Sequence, residues 1–121
     1  MRTLPDKIIP LKLENGTVMM DGGDFITDPD KWTPEFAEYM AEKEGIELTL
    51  IHWAVITYMR DCLERNGVMV DARFVMKFLA KHQDISKKKA HNLLYELFPY
   101  GYVKQACRIS GMRQPRAWST G

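Results

Sequence analysis

Four helix-start signals, set at short intervals, are the feature that most limits what this chain can fold into. Each is a side chain that can accept a hydrogen bond from the first turn of a helix, and each precedes an amphipathic stretch. These capping residues are Thr33, Thr49, Asp71 and Ser86. Gly45 and Gly67 follow the first two stretches and can adopt the left-handed conformation in which many helices end. The signals predict helices over residues 34–45, 50–65, 72–82 and 87–97.

The apolar residues of these stretches recur with the three- and four-residue spacing of a buried helix face. The stripes comprise Ile56, Met59 and Leu63 in the second helix, Phe74, Val75, Phe78 and Leu79 in the third, and Ala90, Leu93, Leu94 and Leu97 in the fourth. We expect these side chains to form the hydrophobic core. Nothing in their spacing indicates a cofactor site.

A hairpin is predicted before the helices and an irregular arm after them. Leu11 and Leu13 alternate with polar residues, and Asn15-Gly16 then favours a tight turn. At the other end, a short helix over residues 105–110 is expected to stop at Gly111. The sequence therefore predicts one mainly α domain spanning residues 1–121, in which 112–121 form a flexible C-terminal arm.

The composition fits one soluble domain. The 121 residues are 45% apolar, which is enough for a modest core, and no apolar run approaches the length needed to cross a bilayer. The first residues show no secretory signal pattern. We therefore expect a soluble cytoplasmic protein.

The net charge of +1 hides an asymmetry between the two ends of the chain. Residues 1–80 hold 9 basic and 14 acidic side chains, whereas residues 81–121 hold 8 basic and 2 acidic ones. A basic C-terminal end favours acidic partners, either a protein surface or a nucleic acid. A solvated tail is the other interpretation of the same pattern.

Cys107 is the candidate for chemistry. Lys104 lies three residues before it, Arg108 follows it directly, and no acidic residue comes after Glu96. Nearby cations and a helix start stabilise a thiolate, which is the form that accepts sulfane sulfur or attacks a disulfide. The competing interpretation is a small buried residue between two apolar neighbours.

The other chemically able side chains give weaker signals. Cys62 lies in the middle of the longest helix, which predicts a structural cysteine. The histidines His52, His82 and His91 lack the spacing of metal ligands, and His52 in a first helical turn favours packing or capping. No glycine-rich phosphate loop and no nucleophile–base pair is present. The sequence thus predicts neither a metal nor a cofactor site.

Residues 72–82 and 87–97 have the spacing of a helix-turn-helix. The second helix begins with Lys87, Lys88 and Lys89, whose charges can meet phosphates, and Asn92 can contact an adenine edge. A solvated lysine-rich face explains the same residues. DNA binding is therefore kept as an alternative function.

Three ordered blocks of the sequence resemble one family. They are FITDPDKW (25–32), EGIELTLIHWAVI (44–56) and YELFPYGYVKQACRISG (95–111). The first is similar to a Phe-x-x-Asp-Pro-x-x-Trp segment, and the last to a Tyr-x-Leu-Phe-Pro-x-Gly segment that leads into Lys-Gln-Ala-Cys. This is the family of DsrC, TusE and DsvC, and the likeness runs from about residue 10 to Pro115.

The resemblance implies a helical domain with an N-terminal β-hairpin, a helix-turn-helix-like pair and a flexible C-terminal arm. It implies a sulfur-relay protein that carries sulfur as a persulfide or mixed disulfide and acts without a cofactor. Such a protein is an accessory carrier rather than an independent enzyme. The implied partners are sulfur-trafficking proteins of the DsrEFH or TusBCD type, or sulfite reductase, in sulfur metabolism or tRNA thiolation.

The chain keeps one of the two cysteines that the family uses. The resemblance places Cys107 at the cysteine of the sulfite-reductase-linked members and so makes it the candidate catalytic residue. The family's penultimate cysteine falls at Trp118, counted from Pro115 without a gap. Two hypotheses follow. The chain is a carrier that loads one sulfur on Cys107, or a regulatory paralogue without a sulfur load that competes for the same partners or binds DNA through residues 72–97.

Overall fold

Two strands and four α-helices, with shorter helical turns, make up the computed structural model, which describes residues 8–14 and 16–114. The elements are β1 (Ile9–Leu13), β2 (Gly16–Met20), a 3₁₀ turn (Pro29–Lys31), α1 (Pro34–Glu44), α2 (Leu50–Asn66), α3 (Ala72–His82), α4 (Lys87–Leu97) and a π-helical segment (Tyr102–Cys107). The predicted mainly α class with an N-terminal hairpin is confirmed. Within the described ranges, no helix is long and apolar enough to span a bilayer.

The α-helices begin where the capping residues predict. At each start a side chain accepts a hydrogen bond from a backbone N–H of the first turn, as at Thr33, Thr49, Asp71 and Ser86. Gly45 and Gly67 follow α1 and α2 with left-handed φ angles of 75° and 72°. Local sequence therefore fixes both ends of α1 and α2 and the starts of α3 and α4.

The hairpin lays one face on the helical core. β1 and β2 are antiparallel, with Leu11 opposite Val18. Val18 and Met20 are buried, whereas Met19 between them is exposed, as the two-residue period of a strand requires. The predicted turn residue Asn15 lies outside the described residues.

The core joins the hairpin to all four helices. It includes Phe36 and Met40 of α1, Val55, Ile56 and Met59 of α2, Val75 and Leu79 of α3, and Ala90 and Leu94 of α4. α3 packs against both α2 and α4. The helix-turn-helix-like pair is thus part of the same core as the rest of the chain.

One predicted core residue lies outside the core. Phe74 is 46% exposed, although its neighbour Val75 is fully buried. Successive helical residues are about 100° apart around the axis, and the buried stripe of α3 runs through Val75 and Leu79. The prediction that Phe74 is a core residue is therefore wrong, because the buried face of α3 covers fewer positions than the apolar residues of its sequence.

The C-terminal helix also differs from the prediction. It begins at Tyr102 instead of residue 105, and it is π-helical through Cys107. Gly111 ends it, as predicted, with a φ of 76°. Met112, the first residue of the predicted arm, is buried in the core. Residues 115–121, where the rest of the arm was predicted, lie outside the described part of the chain.

Candidate functional site

Cys107 is the last residue of the π-helical segment, and it is buried. Its side chain is 0% exposed and belongs to the hydrophobic core, as do Ala106 and Ile109 beside it. π-helical turns are rare and often mark functional positions, because the wider turn breaks the regular hydrogen-bond ladder. The segment therefore places the one candidate thiol of this region inside the protein.

The Cys107 thiol makes hydrogen bonds with the side chains of Met69 and Tyr102. The thiol donates to the sulfur of Met69, with 3.3 Å between Sγ and Sδ. Burial raises the pKa of Cys107 to about 12, and a hydrogen bond with the Tyr102 side chain opposes that shift only in part. The Tyr102 hydroxyl itself donates to the backbone carbonyl of Val70. At neutral pH the Cys107 side chain is consequently a protonated thiol.

The two flanking cations do not stabilise a thiolate here. Lys104 is exposed to solvent. The Arg108 guanidinium lies 3.9 Å from the Glu44 carboxylate and 5.0 Å from the centre of the Phe25 ring. The predicted cation-stabilised thiolate is thus wrong for this conformation, because burial dominates the pKa of Cys107. That Cys107 carries sulfur stays a prediction.

Arg60 holds the backbone just after Cys107. Its Nη1 atom donates to the carbonyls of Ser110 and Gly111 at 3.1 and 3.2 Å, and its Nη2 atom donates to the Pro29 carbonyl at 2.9 Å. Hydrogen bonds from a charged donor are stronger than neutral ones. Arg60 therefore ties the end of the Cys107 segment to the 3₁₀ turn.

Trp32 completes this clamp. Its indole Nε1 donates to the Ile109 carbonyl at 2.9 Å, and its ring lies 4.6 Å beneath the Arg60 guanidinium. The ring also packs so closely against Gly111 that a β-carbon there would overlap it. Trp32 and Arg60 together fix three successive carbonyls, those of residues 109–111.

Glu44, at the end of α1, contacts two side chains that flank Cys107 in the sequence. Its carboxylate accepts a hydrogen bond from Gln105 Nε2 at 3.1 Å and pairs with Arg108. The Gln105 amide oxygen in turn accepts from the backbone N–H of Tyr100 at 2.9 Å. Gln105 is 1% exposed, and these two hydrogen bonds satisfy both ends of its buried amide.

A cleft of about 1150 Å³ opens next to the clamp. The 3₁₀ turn, the later part of α2 and the chain after Gly111 form its walls, and Arg60, Met69 and Met112 line it. Met112 donates its backbone N–H to the Cys107 carbonyl at 2.9 Å. Met69 thus contacts the Cys107 thiol and also lines the cleft.

Cys62 lies in a second, separate environment on α2. It is 6% exposed, and the Arg65 guanidinium is 4.0 Å from its sulfur. Burial first, and then a hydrogen bond with the Cys62 thiol, raises the pKa of Tyr58. Burial agrees with the predicted structural role of Cys62.

Of the three histidines, His52 is buried in the fold, and the other two lie on the surface. His52 accepts from the Thr49 N–H at Nδ1 and contacts the Leu97 carbonyl through Nε2 at 2.8 Å, which confirms its predicted packing and capping role. His82 and His91 are exposed. Across residues 8–14 and 16–114, no three His, Cys, Asp or Glu side chains are grouped in a way that could hold a metal ion.

A family model described as "DsrC like protein" matches residues 12–117. The chain belongs to the DsrC-like family. It is 32% identical to the sulfurtransferase TusE of Pectobacterium atrosepticum over 105 residues, which cover 87% of this chain and 95% of TusE. It is also 32% identical to the gamma subunit of dissimilatory-type sulfite reductase of Nitratidesulfovibrio vulgaris, over 79% of this chain and 85% of that one.

Solved structures agree with this assignment. The oxidized gamma subunit of dissimilatory sulfite reductase (DsrC) from Archaeoglobus fulgidus matches with a TM-score of 0.78 and 32% identity, covering 90% of this chain and 98% of that one. The DsrC of Allochromatium vinosum matches with a TM-score of 0.77 and 30% identity, over 91% and 97% of the two chains. This DsrC-like protein is therefore a homologue of sulfur-relay proteins across most of its length.

The three sequence blocks that carry the DsrC resemblance meet around Cys107. Trp32 of the first block bonds to Ile109 of the third. Glu44 of the second block bonds to Gln105 of the third. Side-chain hydrogen bonds thus join blocks that are far apart in the sequence. The two bonded pairs are separated by 77 and 61 positions.

Sequence reasoning missed Arg60, Met69 and Met112. One signal was available for Arg60, which lies four residues after the buried Ile56 and therefore on the same side of α2. A charged residue on a buried face indicates specific hydrogen bonds. Met69 and Met112 gave no signal, since their contact with Cys107 arises only in the folded chain.

Proposed function

We propose that this DsrC-like protein is a sulfur carrier that holds one sulfur on Cys107, as a persulfide or a mixed disulfide. The observation that carries the proposal is the position of Met69, which touches the Cys107 thiol and lines the adjacent cleft. Movement of that one unbranched side chain opens a path from the cleft to the thiol. Methionine suits this role because its three rotatable bonds let it repack at low cost.

The proposed loading step exchanges one sulfur–sulfur bond for another. The Cys107 thiol loses its proton, and the thiolate attacks the outer sulfur of a donor persulfide. The donor's sulfur–sulfur bond breaks, its thiolate leaves and takes up a proton, and Cys107 becomes a persulfide. The outer sulfur keeps its oxidation state, so the transfer needs no external oxidant or reductant.

Burial makes this step depend on local opening. In the closed form the pKa of Cys107, at about 12, leaves very little thiolate at neutral pH. Solvent or a donor group that enters the cleft relieves the desolvation that raises this pKa. We therefore expect slow loading by a small donor and faster loading once Met69 is displaced.

The proposed partners are proteins that deliver or receive sulfur, of the DsrEFH or TusBCD type, or sulfite reductase. The support is the match to TusE and to a sulfite reductase gamma subunit, each over more than three quarters of this chain. Docking without a sulfur load is the second candidate function, and the burial of Cys107 favours it. None of the relatives named above supports the DNA-binding alternative.

Loading with glutathione persulfide tests the carrier. Mass spectrometry of the native chain should map one added sulfur to Cys107, and Cys107→Ser should remove it while Cys62→Ser should not. Met69→Ala should load about tenfold faster than the native chain, since burial of the thiol is what slows the reaction. Met69→Leu is the matched control, because it keeps the apolar cover.

Two results would count against the carrier. Sulfur found mainly on Cys62 would assign the chemistry to the other cysteine. Sulfur found on neither residue, even in Met69→Ala, would leave docking without a load as the function.

A further inference from the structure

An exposed aromatic ring surrounded by cations lies on α3. Phe74 is 46% exposed, and its ring is 6.0 Å from the Arg73 guanidinium carbon and 5.5 Å from Lys77 Nζ. Nearly half of Phe74 is therefore left in water, and the neighbours of its ring are two cations. Val75, its buried neighbour, already supplies the core contact of this turn.

Phe74 belongs to a groove of about 540 Å³ between α3 and α4. Phe74 and Met76 supply apolar surface, and Lys77 on α3 faces Lys87 and Lys88 on α4 across it. The groove shares no lining residue with the cleft beside Cys107. Its volume lies within the range typical of ligand pockets and leaves room for one or two side chains of another molecule.

The charge of the groove has one sign. No acidic residue lines it, and Lys77, Lys87 and Lys88 form no ion pair within 4.0 Å among residues 8–14 and 16–114. Arg73 is the exception, since it pairs with Asp71 at 3.5 Å, where both side chains are exposed. The N-terminal end of α4, where Lys87 and Lys88 lie, adds the positive end of the helix dipole.

We propose that this groove is a docking site for an acidic protein segment that inserts an apolar or aromatic side chain against Phe74. The acidic groups of the segment pair with the lysines on both walls, and the inserted side chain removes Phe74 and Met76 from water. Binding of this kind combines an apolar anchor with a polar rim. The proposal does not depend on sulfur transfer at Cys107.

The same observations favour a protein segment over a nucleic acid. The cations that line the groove are confined to a volume of about 540 Å³. The first 80 residues carry 14 acidic and 9 basic side chains, so a long polyanion meets repulsion outside the groove. A short acidic segment contacts only the groove.

Peptide display against the full chain tests the proposal. A random peptide library is selected on the native protein, and the enriched peptides are then measured on the double variant Lys77→Glu, Lys88→Glu. The enriched peptides should place Asp or Glu on both sides of an aromatic or aliphatic residue. The double variant should bind them at least about tenfold more weakly, and Phe74→Ala about fivefold more weakly.

The control reverses the same number of charges elsewhere. Lys31 and Lys104 are exposed and lie outside the groove, so Lys31→Glu, Lys104→Glu should keep the native affinity within about twofold. Enriched peptides that are neutral or basic, or that bind the two double variants equally, would overturn the proposal. Short duplex and single-stranded DNA are measured beside the peptides. Tighter binding of either one, lost on reversal of Lys77 and Lys88, would make the groove a nucleic-acid site instead.

Discussion

The segment that carries Cys107 and the α3–α4 pair are stabilised by contacts of different range. Around Cys107 the partners come from far along the chain, such as Trp32, which lies 77 residues from Ile109. In the α3–α4 pair each helix starts at its own cap, and the two helices, which are consecutive in the sequence, pack on each other. The environment of the thiol is therefore a property of the whole fold, whereas the cationic groove is encoded locally.

The contact between Gly111 and Trp32 tests the long-range packing around Cys107. Gly111→Ala should lower the free energy of unfolding by about 3 kcal/mol, because a β-carbon would overlap the Trp32 ring and the φ of 76° disfavours alanine. Gly67→Ala is the matched control. Its φ is 72°, but in the described part of the chain no atom beyond the adjacent backbone lies within 4 Å of the new β-carbon, so about 1 kcal/mol is expected. Urea unfolding measures both, and equal losses would show that the Trp32 contact adds nothing.

Removal of the arginine clamp comes next. Arg60→Ala should cost about 2 kcal/mol, because three backbone carbonyls lose a charged donor and the Trp32 ring loses its stacked cation. Thermal or urea unfolding measures the loss. Native-state alkylation of Cys107 should also become faster, since the backbone after it is released.

Arg65→Ala is the control for the clamp. Arg65 is on the same helix but is exposed. Its Nε atom donates to the Asp61 backbone carbonyl at 3.4 Å, and its Nη2 atom lies 4.0 Å from the Cys62 sulfur. Its loss should cost less than about 0.5 kcal/mol. A similar cost for Arg60 and Arg65 would mean that the clamp contributes little to stability.

The same contrast explains what the sequence predicts and what it misses. Helix starts are predicted well because a cap such as Thr33 or Ser86 acts on the turn that follows it. Burial was one of two interpretations of Cys107, and the sequence could not decide between them, because Met69 lies 38 residues away and no local pattern indicates their contact. Phe74 was misplaced because apolar type alone does not set the width of a buried stripe.

The third prediction tests burial of the thiol through pH. The Cys107 pKa is raised from an ordinary value near 9 to about 12 in the folded chain. Above pH 9 the unfolded chain releases this proton and the folded chain keeps it. The Cys107 thiol therefore does not lower the free energy of unfolding below pH 9. As the pH rises from 9 towards 12, the free energy of unfolding falls by up to about 1.4 kcal/mol per pH unit.

Urea unfolding at several pH values from 8 to 11 measures this slope. Cys107→Ala should show a shallower fall, although part remains because burial also raises the pKa of Tyr102. Ile109→Val is the control, because Ile109 is buried beside Cys107 and carries no titratable group, and it should keep the native slope. A native slope in Cys107→Ala would mean that the thiol is already accessible to solvent in the folded state.

Phe74 tests whether the groove between α3 and α4 is independent of the core. Phe74→Ala should lower the free energy of unfolding by less than about 1 kcal/mol, because Phe74 is already 46% exposed. Leu79→Ala, on the buried stripe of the same helix, should cost about 3 kcal/mol through the cavity it leaves. The pair separates two uses of apolar residues on α3. If Phe74→Ala unfolds the protein as readily as Leu79→Ala, then Phe74 supports the fold and its exposure needs no partner. If Phe74→Ala keeps the native stability and loses the acidic peptide, then its apolar surface is retained for binding.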